Sequence, residues 1–164
     1  MKKIGIVMGS DSDLPVVEKA VDTLREYGIP YEVHVFSAHR TPAEARDFAL
    51  SARSNGFAAI IAAAGKAAHL AGAMAANTTL PIIGVPVKSS NLDGVDALLS
   101  TVQMPSGIPV ATVAIDGAVN AALLCVQILS VYDEALAQKL DASRKTAAQK
   151  VLEKNRAVEE KFNR

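Results

Sequence analysis

The sequence has no tryptophan, a single cysteine and few aromatic residues, 4% of the chain. With Cys125 alone, no intrachain disulfide and no cysteine metal cluster can be built. Cys125 sits in the apolar run Ala121 to Val126, the setting of a buried helix residue. An excess of charge of one sign is also missing: 17 Lys and Arg stand against 17 Asp and Glu, for a formal net charge of +0. The broad positive field that nonspecific binding to nucleic acid or anionic membrane needs is therefore absent, and neither partner is expected. Long hydrophobic runs are lacking too. The most apolar window, Ala58 to Ala76, is broken by Gly65, Lys66 and His69, so no membrane span is expected there. Met1, Lys2 and Lys3 lead straight into strand-like sequence without the apolar stretch of a secretory leader, which predicts a cytoplasmic protein.

What is present is a chain of 164 residues, 50% of them hydrophobic, with a core to be filled by Ala, Val, Ile and Leu from closely packed layers. A single domain over residues 1–164 is expected. Short β-branched runs at Lys3 to Met8, Tyr31 to Phe36, Ala58 to Ala63, Pro81 to Val85 and Val110 to Ala114 read as buried strands. Between them, segments such as Leu14 to Tyr27 and Pro42 to Asn55 place apolar residues at helical spacing. This alternation predicts a parallel sheet with right-handed crossovers and helices on both faces. The fold class is α/β: a three-layer αβα, flavodoxin-like, doubly wound five-stranded sheet with an added C-terminal helix.

After the fifth strand, Ala118 to Tyr132 reads as an almost uncharged helix and residues 133–164 as a charged one. In the latter, Leu136, Leu140, Ala147, Val151 and Val158 form one narrow apolar stripe. That stripe predicts a helical extension packing on neighbouring subunits, and the alanine-rich helices elsewhere favour the same kind of contact.

In doubly wound sheets ligands bind beyond the carboxyl ends of the strands, so the loops after the strands carry the functional question. The first strand ends in Met8-Gly9-Ser10-Asp11-Ser12-Asp13-Leu14-Pro15, at a helix start whose free N–H groups suit an anion. Ser10 or Ser12 is placed to hold a phosphate and Asp13 to accept from ribose hydroxyls; the alternative is that Ser12 or Asp13 only caps the helix. The loop is neither a P-loop nor a dinucleotide fingerprint, so ATP and NAD are not indicated. The second strand ends in Ser37-Ala38-His39-Arg40-Thr41-Pro42, with Thr41 as the expected cap and Pro42 in the first helical turn. Arg40 suits bidentate phosphate recognition, and His39 is the group there able to exchange protons near neutral pH. After the third strand, Ala64-Gly65-Lys66-Ala67-Ala68-His69-Leu70 offers small residues that let a ligand approach the backbone, with a second histidine. Pro86-Val87-Lys88-Ser89-Ser90 adds a polar loop, and Gln103-Met104-Pro105 precedes the fifth strand. His34 reads as a partly exposed strand residue, and His34, His39 and His69 lack the ligand spacing of a metal site, so none is expected.

Together, Gly9 to Asp13, Ser37 to Pro42, Ala67 to Leu70 and Gln103 to Pro105 resemble, in order and spacing, the 5-(carboxyamino)imidazole ribonucleotide mutases of purine biosynthesis. The resemblance spans nearly the whole chain. It implies transfer of the carboxylate from the exocyclic nitrogen of the substrate to the imidazole C4, with no cofactor: neither ATP, biotin nor metal. His39 is implied as the proton-transfer catalyst. Ser10, Asp13 and Arg40 are implied to bind the ribonucleotide, the serine and arginine toward phosphate and the aspartate toward ribose. Ser12, Ser37, Ala38, Gly65, Ala67, His69 and Leu70 complete the expected substrate-binding set. The resemblance further implies a homo-octamer in which neighbouring subunits contribute to each site. A related branch carboxylates aminoimidazole ribonucleotide directly with carbon dioxide; Arg40 and His69 set this chain with the mutases. Lys66 and Ala71 depart from the pattern, which usually has glycine and proline there. A non-catalytic flavin or nucleotide carrier is the reading from another class, since the same fold binds phosphorylated cofactors at the same strand ends.

Overall fold

The computed structural model describes residues 1–163, in two compact units, one ending at Val126 and a second beginning at Gln127. In the first unit the elements run β1 (Lys3–Met8), α1 (Leu14–Tyr27), β2 (Tyr31–Val35), α2 (Pro42–Ser51), β3 (Phe57–Gly65), α3 (Leu70–Ala75), β4 (Ile82–Val87), α4 (Val95–Val102) and β5 (Ala111–Thr112). α5 (Ala118–Ser130) follows and runs across the boundary. Short 3-10 turns at Asp11–Asp13 and Leu92–Gly94 lead into α1 and α4.

The sheet order is β2-β1-β3-β4-β5, and every pairing is parallel. β1 to β2 moves one way across the sheet and every later step moves the other way, so right-handed crossovers put α1 on one face and α2, α3 and α4 on the opposite face. The contacts of α2 with α3 and of α3 with α4 agree with that placement. This is the flavodoxin-like, doubly wound arrangement, and its strand order reverses at β1 and β3.

β3 is buried through most of its length, which is why Phe57–Gly65 is an unbroken apolar run rather than an alternating one. Its alanines keep the layers close, and the core under α2 and α3 joins Val7, Ala45, Ala49, Phe57, Ile60, Leu70, Met74 and Ile82. Phe48 lies over Gly5, where a Cβ would come within 3.0 Å of its ring, and packs in turn on Phe36 and Phe57. His34 is half-buried, stacked on Phe36 at 5.1 Å, while Val33 and Val35 on the other side of this edge strand are exposed. Cys125 lies with Ala118, Ala121, Ala122 and Val126 on the buried stripe of α5, and desolvation pushes its thiol up to about 12.

The structure corrects several boundaries. β5 pairs in regular register only at Ala111 and Thr112; after Val113 donates to Gly84, the next backbone bond to β4 comes from Asp116, to the Pro86 carbonyl, so the intervening residues leave the ladder. α2 ends at Ser51 and the chain turns through residues 52–56, where Gly56 takes φ +82°. Pro42 does occupy the first turn of α2, but Thr41 does not cap it. Its hydroxyl accepts from the Ser37 N–H at 2.8 Å instead, closing the preceding loop on itself.

The second unit contains α6 (Glu134–Phe162), capped by Asp133, whose carboxylate accepts from the Leu136 N–H at 3.1 Å. Leu136 is buried and Leu140 half-buried, whereas Ala147, Val151 and Val158 of the stripe are exposed, as are Leu152 and Phe162. Among the described residues no helix is long and apolar enough to cross a membrane.

Candidate active site

The site is assembled where the strands end. A cleft of about 730 Å³ opens between the loops after β1, β2, β3 and β4. Ser10, Ser12, Asp13, Ser37, Ala38, His39, Arg40, Gly65, Ala67, His69 and Leu70 all line it. The sequence-derived candidates, spread over the first seventy residues, therefore share one wall-and-floor arrangement.

The β1 loop is pinned at its start by the Gly9 N–H, which donates to the Ala63 carbonyl at 3.0 Å. Ser10, not Ser12 or Asp13, is the capping residue: its hydroxyl accepts from the Ser12 N–H at 3.3 Å and from the Ser12 hydroxyl at 2.9 Å. Both hydroxyls thus face each other at the helix start, ready to re-pair with an anion. Asp13 makes no capping bond to α1 and is 7% exposed. Burial holds its carboxyl above the usual range, partly offset by a hydrogen bond from the Ser10 backbone and reinforced by the nearby Asp11 charge.

The β2 loop is braced by Ser37. Its hydroxyl accepts from the N–H groups of His39 at 3.3 Å and Arg40 at 3.2 Å, while its carbonyl accepts from the Thr41 N–H at 2.9 Å. This fixes the backbone of His39 and Arg40 but leaves both side chains exposed to the cleft. Arg40 Nη2 donates to the Gly9 carbonyl at 3.2 Å, which ties the two loops together at the phosphate-suited end.

The β3 loop brings His69 to the N-cap position of α3 without a side-chain capping bond. Its imidazole lies over Gly72, and Leu70 beneath it is 2% exposed, forming part of the floor. Lys66 enters this loop with φ +56°, in the left-handed region. Thr101 of α4 braces the loop from behind, its hydroxyl bonded to the carbonyls of Ala97 at 2.7 Å and Ala68 at 3.2 Å.

Gly9, Ala64, Val87, Lys88 and Ser89 also line the cleft. In sequence Lys88 and Ser89 stand only in a polar loop, without the glycine or histidine that marks the other three loops. Lys88 is held by Asp93 at 2.9 Å, a pairing that raises its pKa, and its N–H is bound by Asp116 at 2.9 Å. Gln103, Met104 and Pro105 do not line the cleft; they follow the end of α4. His34 is also outside it, half-buried beside Glu32.

The lining carries Arg40, Lys66 and Lys88 against a single carboxylate, Asp13. A small ligand with more than one anionic group fits that balance, and His39 supplies a proton donor and acceptor within it. Among the described residues no cluster of three His, Cys, Asp or Glu side chains suited to a metal ion is formed.

A family model described as AIR carboxylase matches residues 3–150. The N5-carboxyaminoimidazole ribonucleotide mutase of Pyrococcus horikoshii is 55% identical over 157 residues, which cover 96% of this chain and 89% of that protein. The phosphoribosylaminoimidazole carboxylase of Saccharomyces cerevisiae is 53% identical over 156 residues, 95% of this chain but 27% of that longer protein. A solved structure described as Treponema denticola PurE matches with a TM-score of 0.86 at 31% identity, covering 98% of each chain.

Proposed function

Because the chain belongs to the AIR carboxylase family, we propose that it is a 5-(carboxyamino)imidazole ribonucleotide mutase of purine biosynthesis, moving a carboxylate from the exocyclic nitrogen to C4 of the imidazole. The observation that carries this reading is the convergence of His39, Arg40, the Ser10 and Ser12 hydroxyls and Asp13 on one cleft at the carboxyl ends of the strands.

Arg40 and the hydroxyls of Ser10 and Ser12 take the phosphate at the start of α1, and Asp13 accepts from the ribose hydroxyls. The base then lies toward the β3 loop, where Gly65, Ala67 and Leu70 admit it closely. His39 donates a proton to the carbamate nitrogen as the N–C bond breaks and carbon dioxide leaves. C4 attacks carbon dioxide, and His39 removes the C4 proton, restoring aromaticity and its own protonation state. Carbon dioxide has to stay beside the ring meanwhile, and the small residues of the β3 loop with His69 form the wall that retains it.

We further propose that α6 packs on neighbouring subunits in a homo-octamer of cytoplasmic location, since the exposed Val151, Val158 and Phe162 of α6 need a covering partner. Direct carboxylation of aminoimidazole ribonucleotide is the second reading, favoured by the similarity to the yeast carboxylase.

The test follows ultraviolet absorbance with fresh 5-(carboxyamino)imidazole ribonucleotide, and separately with aminoimidazole ribonucleotide plus bicarbonate. Turnover of the first, lowered about 100-fold or more in His39→Asn, supports the mutase. Product from the bicarbonate mixture alone supports the carboxylase, and inactivity with both returns the cleft to a binding role.

A further inference from the structure

The cleft holds three cations, and they are not equivalent. Arg40 is engaged with the Gly9 carbonyl, and Lys88 is paired with Asp93. Lys66 forms no ion pair and no side-chain hydrogen bond among the described residues, although it is exposed and lines the same cleft. Its backbone is also unusual. Lys66 takes φ +56°, and the other non-glycine residues with positive φ among those described, Leu92, Asp93 and Asp116, likewise lie in loops beyond the carboxyl ends of strands. Left-handed backbone at a residue with a Cβ costs free energy and persists where the surrounding structure imposes it, most often at functional sites.

We propose that Lys66 binds the carboxylate of the substrate and distinguishes carboxylated from uncarboxylated ribonucleotide, an inference that rests on the mutase reading above. Sheet order supplies the geometry. β2, β1 and β3 stand side by side, so with neighbouring strands about 4.8 Å apart the strand ends from which the Arg40 and Lys66 loops depart are about 10 Å apart. A nucleotide whose phosphate is held between the β1 and β2 loops extends its base toward β3. The carboxylate, on the nitrogen before transfer and on the adjacent ring carbon after it, stays within reach of one flexible ammonium. Carbon dioxide between those two states is neutral. The Lys66 ion pair therefore stabilises substrate and product more than the intermediate, and its contribution is to binding rather than to the chemical step.

The experiment compares wild type, Lys66→Met and Lys66→Arg. It measures KM and kcat with the carboxyamino substrate, and the Kd of the C4-carboxylated product and of aminoimidazole ribonucleotide, which has no carboxylate. Lys66→Met is expected to raise KM and the product Kd about tenfold, the size of one charge-assisted hydrogen bond, while kcat holds or rises. The Kd for aminoimidazole ribonucleotide stays unchanged, and Lys66→Arg restores the wild-type values. Equal losses with both ligands, no loss with either, or a fall in kcat at constant KM overturns the proposal. Wild type that binds both ribonucleotides without turning over overturns the mutase reading alone, with the Kd comparison still deciding Lys66. Wild type that binds neither overturns both.

Discussion

The imidazole of His69 rests against the Cα of Gly72: a Cβ at that glycine would come within 2.5 Å of Cε1 and 2.9 Å of Nδ1. The ring is seated by the absence of a side chain one turn later in α3. Gly72→Ala is expected to swing the exposed His69 ring away, lowering kcat/KM about tenfold. The melting temperature should hold or rise, since alanine is the better helix residue by about 1 kcal/mol. A loss of stability in step with activity would show instead that the helix itself had been damaged.

Ser37 accepts from two successive N–H groups that position His39 and Arg40. Ser37→Ala removes that acceptor in a loop already partly open to water. The expected stability cost is about 1 kcal/mol, with a fall in kcat/KM that exceeds it, measured by urea unfolding beside initial rates.

Burial raises the Asp13 carboxyl, so the folded protein holds that proton more tightly than the unfolded chain does. The stabilisation this confers is complete below the unfolded value of about 4 and is lost as pH rises through the folded value. Asp13→Asn should therefore be more stable than wild type at about pH 7, with the gap closing as the pH falls toward 4, while ribonucleotide affinity drops. A gap that widened in acid would refute burial as the dominant influence.

At Gly84 a Cβ would stand 2.4 Å from the Thr101 methyl and 3.0 Å from Val110. Thr101 is 2% exposed and tethered to the carbonyls of Ala97 and Ala68, so it has little room to yield. Gly84→Ala should cost about 1 to 3 kcal/mol by overpacking, read as a shifted urea midpoint.

Lys66→Gly removes the Cβ from a left-handed position and should stabilise the fold by roughly 1 kcal/mol. Differential melting of the two proteins checks this. A gain in stability accompanied by weaker product binding would mean that the lysine is kept for the ligand and not for the fold.

Much of the architecture was legible because it is periodic. α1 begins and ends at Leu14 and Tyr27, as the apolar spacing indicates, and Pro42 opens α2. The β5 ladder was not, since β4 continues to Val87 while the segment paired with it leaves register after Val113, a departure the β-branched run does not signal. Thr41 missed its expected role because Ser37, four residues earlier, competes for the same hydroxyl. The cleft residues carried a readable signature in hydroxyl, imidazole and guanidinium groups after strands. Lys88 and Ser89 carried none, since only the strand order brings the β4 loop beside the β3 loop. The burial of Asp13 was equally invisible, because it arises from a 3-10 turn that tucks the carboxylate inward.

Cys125, the sole thiol, is wholly buried on α5 with its ionisation pushed up to about 12. At neutral pH a thiol so shifted supplies almost no thiolate, the species that alkylating and oxidising reagents attack. The folded molecule should therefore be inert to such reagents without any added reductant. Labelling becomes a clock for the opening of α5: each modified molecule records one excursion in which that helix left its seat.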